Sequence, residues 1–133
     1  NPGLLDGAID EMLRDEAPVQ RATFRVVTAP LQLSSQEIQR GERVSAVMGS
    51  ANRDSLQFPH PDRFDISRKP NAHVSFGLGV HRGLGEKLAR IEGRIAFTRL
   101  LQRLPSIELV DANPRWQARS LFRALAALPL RLG

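Results

Sequence analysis

The sequence predicts an α+β fold, and three observations predict it. Apolar residues recur at helical spacing near the start, switch to a period of two after Gln20, and return to helical spacing from Leu84. The 133 residues are 41% apolar and 25% charged, which is globular composition and enough chain for one core, so residues 1–133 are read as one domain.

Leu4, Leu5, Ala8, Ile9, Met12 and Leu13 share one face of a helix over residues 3–15; Pro2 suits its first turn and Pro18 stops it. From Gln20, Ala22, Phe24 and Val26 alternate with Arg21, Thr23 and Arg25, the pattern of a half-buried strand. Short strands are expected at 31–33 and 43–48 with Arg40-Gly41 as the turn between them, making one small antiparallel sheet. Residues 49–75 hold Gly49, Pro59, Pro61 and Pro70 among Asn, Asp and Ser, so they read as irregular apart from one helical turn at 50–54. A loop that long is usually functional. Four glycines between Phe76 and Gly85 then lead straight into a long helix that ends by Pro105. Leu84, Leu88, Ile91, Ile95 and Leu101 give it an apolar stripe, and Arg90, Arg94 and Arg103 a basic one. Residues 107–132 carry short apolar pairs punctuated by Pro114 and Pro129 and read as strands and turns.

The chain has no cysteine, which excludes disulfides, zinc–thiolate and iron–sulfur sites and thiolate chemistry from these residues. No apolar run approaches the roughly 18 to 20 residues of a membrane span, and the start lacks a signal peptide's basic and apolar run, so a cytoplasmic protein is expected. The net charge is +5, concentrated towards the C-terminus. Such a balance suits an acidic protein, a membrane surface or nucleic acid. No aromatic ladder accompanies the arginines, so nucleic-acid binding is not expected.

Taken singly, the motifs are weak. Gly77-Leu78-Gly79 before a helix suggests an anion loop, but no glycine follows three residues on and no Gly-Lys-Ser/Thr exists. His60, His73 and His81 lack metal-pair spacing, and isolated histidines are mostly structural or solvent-exposed, so no metal ligand is assigned. Glu11-x-x-Arg14 is one helical turn of opposite charge, a spacing that Glu37 and Arg40 repeat over a predicted turn. The order is more specific: Glu11-x-x-Arg14, then Asn52-Arg53-Asp54, then Phe58-Pro59-x-Pro61-Asp62-Arg63-Phe64, then Phe76-x-x-Gly79-x-His81-x-x-x-Gly85.

That series resembles the C-terminal part of a bacterial cytochrome P-450, a haem-thiolate monooxygenase, along essentially the whole chain. The resemblance implies a C-terminal fragment of that mostly α fold, a single partial domain amounting to its last third. It comprises the Glu-x-x-Arg helix, a small antiparallel sheet, a long meander, the haem loop, a long helix that includes Leu88-Ala89-Arg90-x-Glu92, and short terminal strands. It also implies that Glu11, Arg14 and Arg63 form a buried structural triad, that Arg25 and His81 bind haem propionates, and that Phe76 packs beside the proximal ligand. Val26, Val27, Leu121 and Phe122 correspond to regions lining the family's substrate pocket.

The departures from the family carry as much information. The residue two after the loop histidine is, in the family, the cysteine whose thiolate binds iron; here it is Gly83. Glycine has no side chain to ligate anything, and the thiolate supplies the electron density that favours O–O cleavage. His81 is chemically able to bind iron, but the residue it matches points at a propionate, so the reading adopted here has no protein ligand, no catalytic residue and doubtful haem binding. Ser34-Ser35 and Gln39 stand where the family's sheet has a Gly-containing turn and a Pro.

The expected function is therefore a truncated homologue without monooxygenase activity, since the family's long central helix has no counterpart here. The alternatives are a haem-free helper of a complete enzyme and one piece of a split monooxygenase. The family docks an acidic, ferredoxin-like electron donor on the face near Arg63, Arg82 and Arg90. An apolar stripe with nothing to cover it also predicts a marginally stable, self-associating chain.

Overall fold

The computed structural model describes residues 1–118 and 121–133. Asn1 opens a tight turn over Pro2–Leu4, its side chain accepting from the Gly3 N–H at 3.0 Å, and the turn runs into helix α1, Leu5–Asp15. Of the apolar face only Ile9 is buried, and the other two buried residues of α1 are Glu11 and Arg14. α1 therefore presents charge as well as apolar surface to the interior.

Strands β1 (Arg25–Val26), β2 (Leu31–Leu33), β3 (Gln36–Ile38) and β4 (Arg43–Val44) follow. They make two antiparallel pairs rather than the single sheet expected: β1 with β4, Arg25 opposite Val44, and β2 with β3, Leu31 opposite Ile38. The sequence reading missed β3, because the hairpin turn falls at Ser34-Ser35, ahead of the Arg40-Gly41 turn that links β3 to β4. Ser34 sits at φ +54°, a backbone state that costs glycine nothing and a side-chain-bearing residue something, so the serine strains this turn. The strand expected from Gln20 shrinks to two residues, and Phe24 and Val26, read as its buried face, are exposed; Val27 is buried instead. The strand expected at 43–48 stops at Val44, because Met48 already opens helix α2, Met48–Ala51.

Residues 52–78 form the long meander of turns, and a short helical turn at Gly79–His81 precedes helix α3, Glu86–Arg103. Strands β5 (Ile107–Leu109) and β6 (Leu130–Leu132) close a third antiparallel pair, Ile107 opposite Leu132. The tail returns to the other elements at Phe122, which bridges Val19, while the Arg123 N–H donates to the Pro18 carbonyl at 2.8 Å.

α3 packs on α1 through an unexpected face. Glu86, Arg90, Gly93 and Phe97, spaced at i, i+4, i+7 and i+11, are less exposed than Leu88, Ile91 and Ile95, each of which is more than half exposed. Gly93 faces Ile9, where a methyl group built on it would stand at an ordinary contact distance of 3.8 Å. Arg90 pairs with Asp10, and Arg94 with Asp6 at 3.6 Å. Leu84 lies before the helix, fully exposed.

Candidate functional site

The site has a polar foundation and an apolar wall. In the foundation, α1 brings Glu11 and Arg14 onto the same side one turn apart, both at 0% exposure. Arg14 Nε and Nη2 reach the two Glu11 carboxylate oxygens at 2.8 and 2.9 Å, a bidentate pair. Arg14 Nη1 then donates to the Asn52 and Pro61 carbonyls at 3.0 and 2.8 Å, and its guanidinium carbon lies 5.6 Å from the Phe58 ring centre. Glu11 also accepts from the Asp65 N–H at 2.8 Å and from Asn71 at 3.0 Å. Burial pushes the Glu11 carboxyl up, but the bonds from Arg14, Asp65 and Arg68 outweigh burial and hold it below the ordinary range. The same bonds to Glu11 outweigh burial at Arg14 and raise its affinity for its proton.

The third member expected here, Arg63, requires a correction. Arg68 supplies the second guanidinium on Glu11, with Nε 3.2 and 3.3 Å from its two oxygens, while Arg63 is exposed and offers only its carbonyl, to Arg14 and to Arg68. The reason lies in the turn after Phe64: the Arg68 N–H bonds the Asp65 carbonyl at 3.0 Å, and Ser67 binds the Asp65 carboxylate. That turn reverses the chain and carries Arg68 back over Glu11.

Asn52 joins the foundation to the wall. It is fully buried, its Oδ1 accepts from the Val74 N–H at 2.8 Å, and its Nδ2 donates to Ser75 Oγ at 2.8 Å. Ser75 Oγ donates in turn to the Leu13 carbonyl of α1 at 2.6 Å. The meander and the start of the glycine loop thus hang from one helix. Asn52 was part of the motif series with no role attached, and nothing in the sequence singles out Ser75.

Above this lies an open, mainly apolar pocket of about 670 Å³, lined by Ala22, Ala46, Val47, Met48, Val74 and Phe76 among others. Arg25 meets the glycine-loop residues Phe76, His81 and Gly83 at this one pocket, although it comes from a separate stretch of sequence. Val26, Val27, Leu121 and Phe122 do not line it. Arg25 is anchored entirely through Nη1, which bonds the Thr23 hydroxyl at 2.5 Å and the Thr23 and Phe24 carbonyls. The glycine loop is closed by backbone alone: the Gly83 N–H donates to the Phe76 carbonyl at 2.8 Å, the Arg82 N–H to that of Gly79 at 3.1 Å, and the Gly77 N–H to that of Val74 at 2.8 Å. Gly77 and Gly79, at φ +78° and +70°, occupy the conformation such a tight loop demands. Gly83 does not need that freedom. A Cβ there would meet nothing nearer than the Phe76 carbonyl oxygen at 3.4 Å, ordinary contact.

Behind Phe76 the loop rests on a charged cluster. Arg90 lies 5.8 Å from the Phe76 ring centre and also reaches Asp10, Glu86 and His73. Arg82 chelates Glu86 at 2.5 and 2.7 Å, which lowers the Glu86 carboxyl's proton affinity. Two of the three arginines expected to await an acidic partner, Arg82 and Arg90, are thus already ion-paired.

The family model described as Cytochrome P450 matches residues 3–118. The chain is 46% identical over 130 residues to the biotin biosynthesis cytochrome P450 of Bacillus subtilis (strain 168), covering 98% of this chain and 33% of that one. It is 45% identical over 136 residues to cytochrome P450 107B1 of Saccharopolyspora erythraea, covering 100% and 33%. Among solved structures it superposes on P450BioI bound to an acyl-loaded acyl carrier protein with a TM-score of 0.93 at 44% identity, covering 100% of this chain and 34% of that one. On the tirandamycin C-bound P450 monooxygenase TamI the TM-score is 0.95 at 41% identity, covering 98% and 33%. The chain thus spans about a third of the length of the relatives it matches.

Proposed function

The chain belongs to the cytochrome P450 family, and from that premise we propose that these residues form the proximal wall of a haem site from which the iron ligand has been lost. The family implies haem, and the pocket suits its periphery. Arg25 and His81 are donors fit for propionate carboxylates, and the apolar lining is fit for a porphyrin face. The pocket does not suit the iron. The family's thiolate position is Gly83, and the backbone beside Phe76 leaves room for a side chain that is not there. That vacancy carries the reading, so no oxygen-activating step is assigned to these residues.

A partner is the second part of the proposal. One similar structure, P450BioI, is solved in complex with an acyl carrier protein. Of the three arginines, Arg82 and Arg90 are paired internally, so Arg63 is the exposed one left for an acidic surface such as a ferredoxin-like donor. Among the described residues no helix is long and apolar enough to cross a membrane.

A hemin titration read by absorbance, with and without reduction under CO, tests the proposal on the natural chain and on Gly83→Cys. Only Gly83→Cys should give the spectrum of thiolate-bound iron. If Gly83→Cys keeps the natural chain's circular dichroism yet shows no thiolate-bound species, position 83 does not face the haem iron and the reading fails.

A further inference from the structure

Resting on that reading, we infer that the pocket bounded by Arg25, Phe76, His81 and Gly83 recognises a planar tetrapyrrole dicarboxylate without regard to its metal, holding metal-free porphyrin as well as haem. A haem protein that contributes an axial ligand discriminates strongly for iron, because the metal–ligand bond adds to everything the macrocycle's edge and face provide. Here that bond has no donor at the position that faces Phe76. What remains is common to all porphyrins carrying two propionates: apolar area taken from water, and hydrogen bonds to carboxylates.

Two features of the wall support this division. All the bonds that anchor Arg25 use Nη1, so Nε and Nη2 are bound to nothing else among the described residues and can form a two-pronged donor for a carboxylate. The loop that carries His81 and Gly83 is fixed by main-chain bonds, from Gly83 to Phe76 and from Arg82 to Gly79, so its shape does not depend on a metal ion to fold it. The notch at Gly83 is a missing contact to iron rather than a distortion of the pocket.

The experiment is a competition on the full chain. Protoporphyrin IX binding is followed by its own fluorescence anisotropy, hemin is added as competitor, and the natural chain is compared with Gly83→Cys, Gly83→Ala and Arg25→Gln. In the natural chain the two dissociation constants should agree within about threefold, a margin far smaller than a metal–ligand bond would create. Arg25→Gln should weaken both ligands together by about tenfold, the loss expected for a charge-assisted carboxylate bond. Gly83→Ala, which adds the methyl group without a donor, should shift both ligands alike and leave the ratio of their dissociation constants unchanged. Gly83→Cys should tighten hemin alone.

Hemin bound more than about tenfold tighter than protoporphyrin IX by the natural chain would overturn the inference and reveal a protein ligand, which the spectrum of His81→Ala would locate. The reading of the wall as lacking its thiolate would survive that result. Binding of hemin by Gly83→Cys with no porphyrin binding by the natural chain would likewise overturn the inference alone. If no variant binds either ligand, both the inference and the proposed function fall.

Discussion

The interior beneath the pocket and the outer face of α3 invert the usual relation between polarity and burial. The largest side chains wholly removed from solvent are Arg14, Phe58, Glu11 and Asn52, three of them polar, while Leu88, Ile91, Ile95 and Leu101 stand in the open. The difference lies in where the partners come from. The hydrogen bonds of Glu11, Arg14 and Asn52 are made within these residues, from α1, the meander and the loop, and only the buried Asn71 Oδ1 beside them has no partner among the described residues. The α3 stripe has nothing opposite it among the described residues, in a chain spanning about a third of its relatives' length.

The sharpest way to break that comparison is Arg14→Met. It leaves the Glu11 carboxylate buried with only Arg68 as a cation, and removing one partner of a buried pair costs about 3–5 kcal/mol. A total stability of roughly 5–15 kcal/mol leaves little margin for that, so circular dichroism should report a largely unfolded chain at room temperature. Asn52→Ala should rank next, at about 1–3 kcal/mol, because the Val74 N–H loses its partner inside the protein and Ser75 Oγ loses its donor, keeping only its bond to Leu13. Its urea midpoint should fall with an unchanged slope.

Acid probes the same knot. Burial holds the His73 imidazole below its ordinary 6.5, against Glu86 and with Arg82 and Arg14 nearby, so the unfolded chain takes up a proton there before the folded one does. Glu11 is likewise held below its ordinary 4.5. Both contributions are complete above those ordinary values and are lost as pH falls through the lower folded ones. Denaturation midpoints should therefore decline first just below 6.5, and again below 4.5. His73→Gln should remove the upper decline and leave the lower. The smallest effect belongs to the open face: Ile91→Gln and Ile95→Gln should each change stability by less than about 0.5 kcal/mol, while sedimentation shows less self-association. If Ile95→Gln costs more than Asn52→Ala, α3 is not an unpartnered face and the comparison collapses.

How much of this was legible in the sequence follows the same division. The two long helices announced themselves by period, and the ordered motifs led to Glu11, Arg14, Phe76, His81 and Gly83. The shortfall came where backbone shape rather than pattern decides. Arg68 replaces Arg63 because a turn built on the Asp65 side chain reverses the chain, and no spacing rule carries that information. Phe24 and Val26 alternate like a half-buried strand, yet alternation says only which face could be covered, not whether anything covers it. The α1-facing side of α3 escaped notice because three of its four residues are Glu86, Arg90 and Gly93, and Phe97 alone gives apolar periodicity nothing to count.

The main-chain bond from Gly83 to the Phe76 carbonyl has an evolutionary corollary. A loop that takes its shape from amide and carbonyl groups tolerates a change of residue at 83, so on the proposed reading a glycine in place of the ligand cysteine imposes no folding penalty for selection to act against. The route back is equally short, since a single base separates glycine and cysteine codons. On that reading, drift at this one position can remove or return a thiolate to this loop while the loop's architecture stays put.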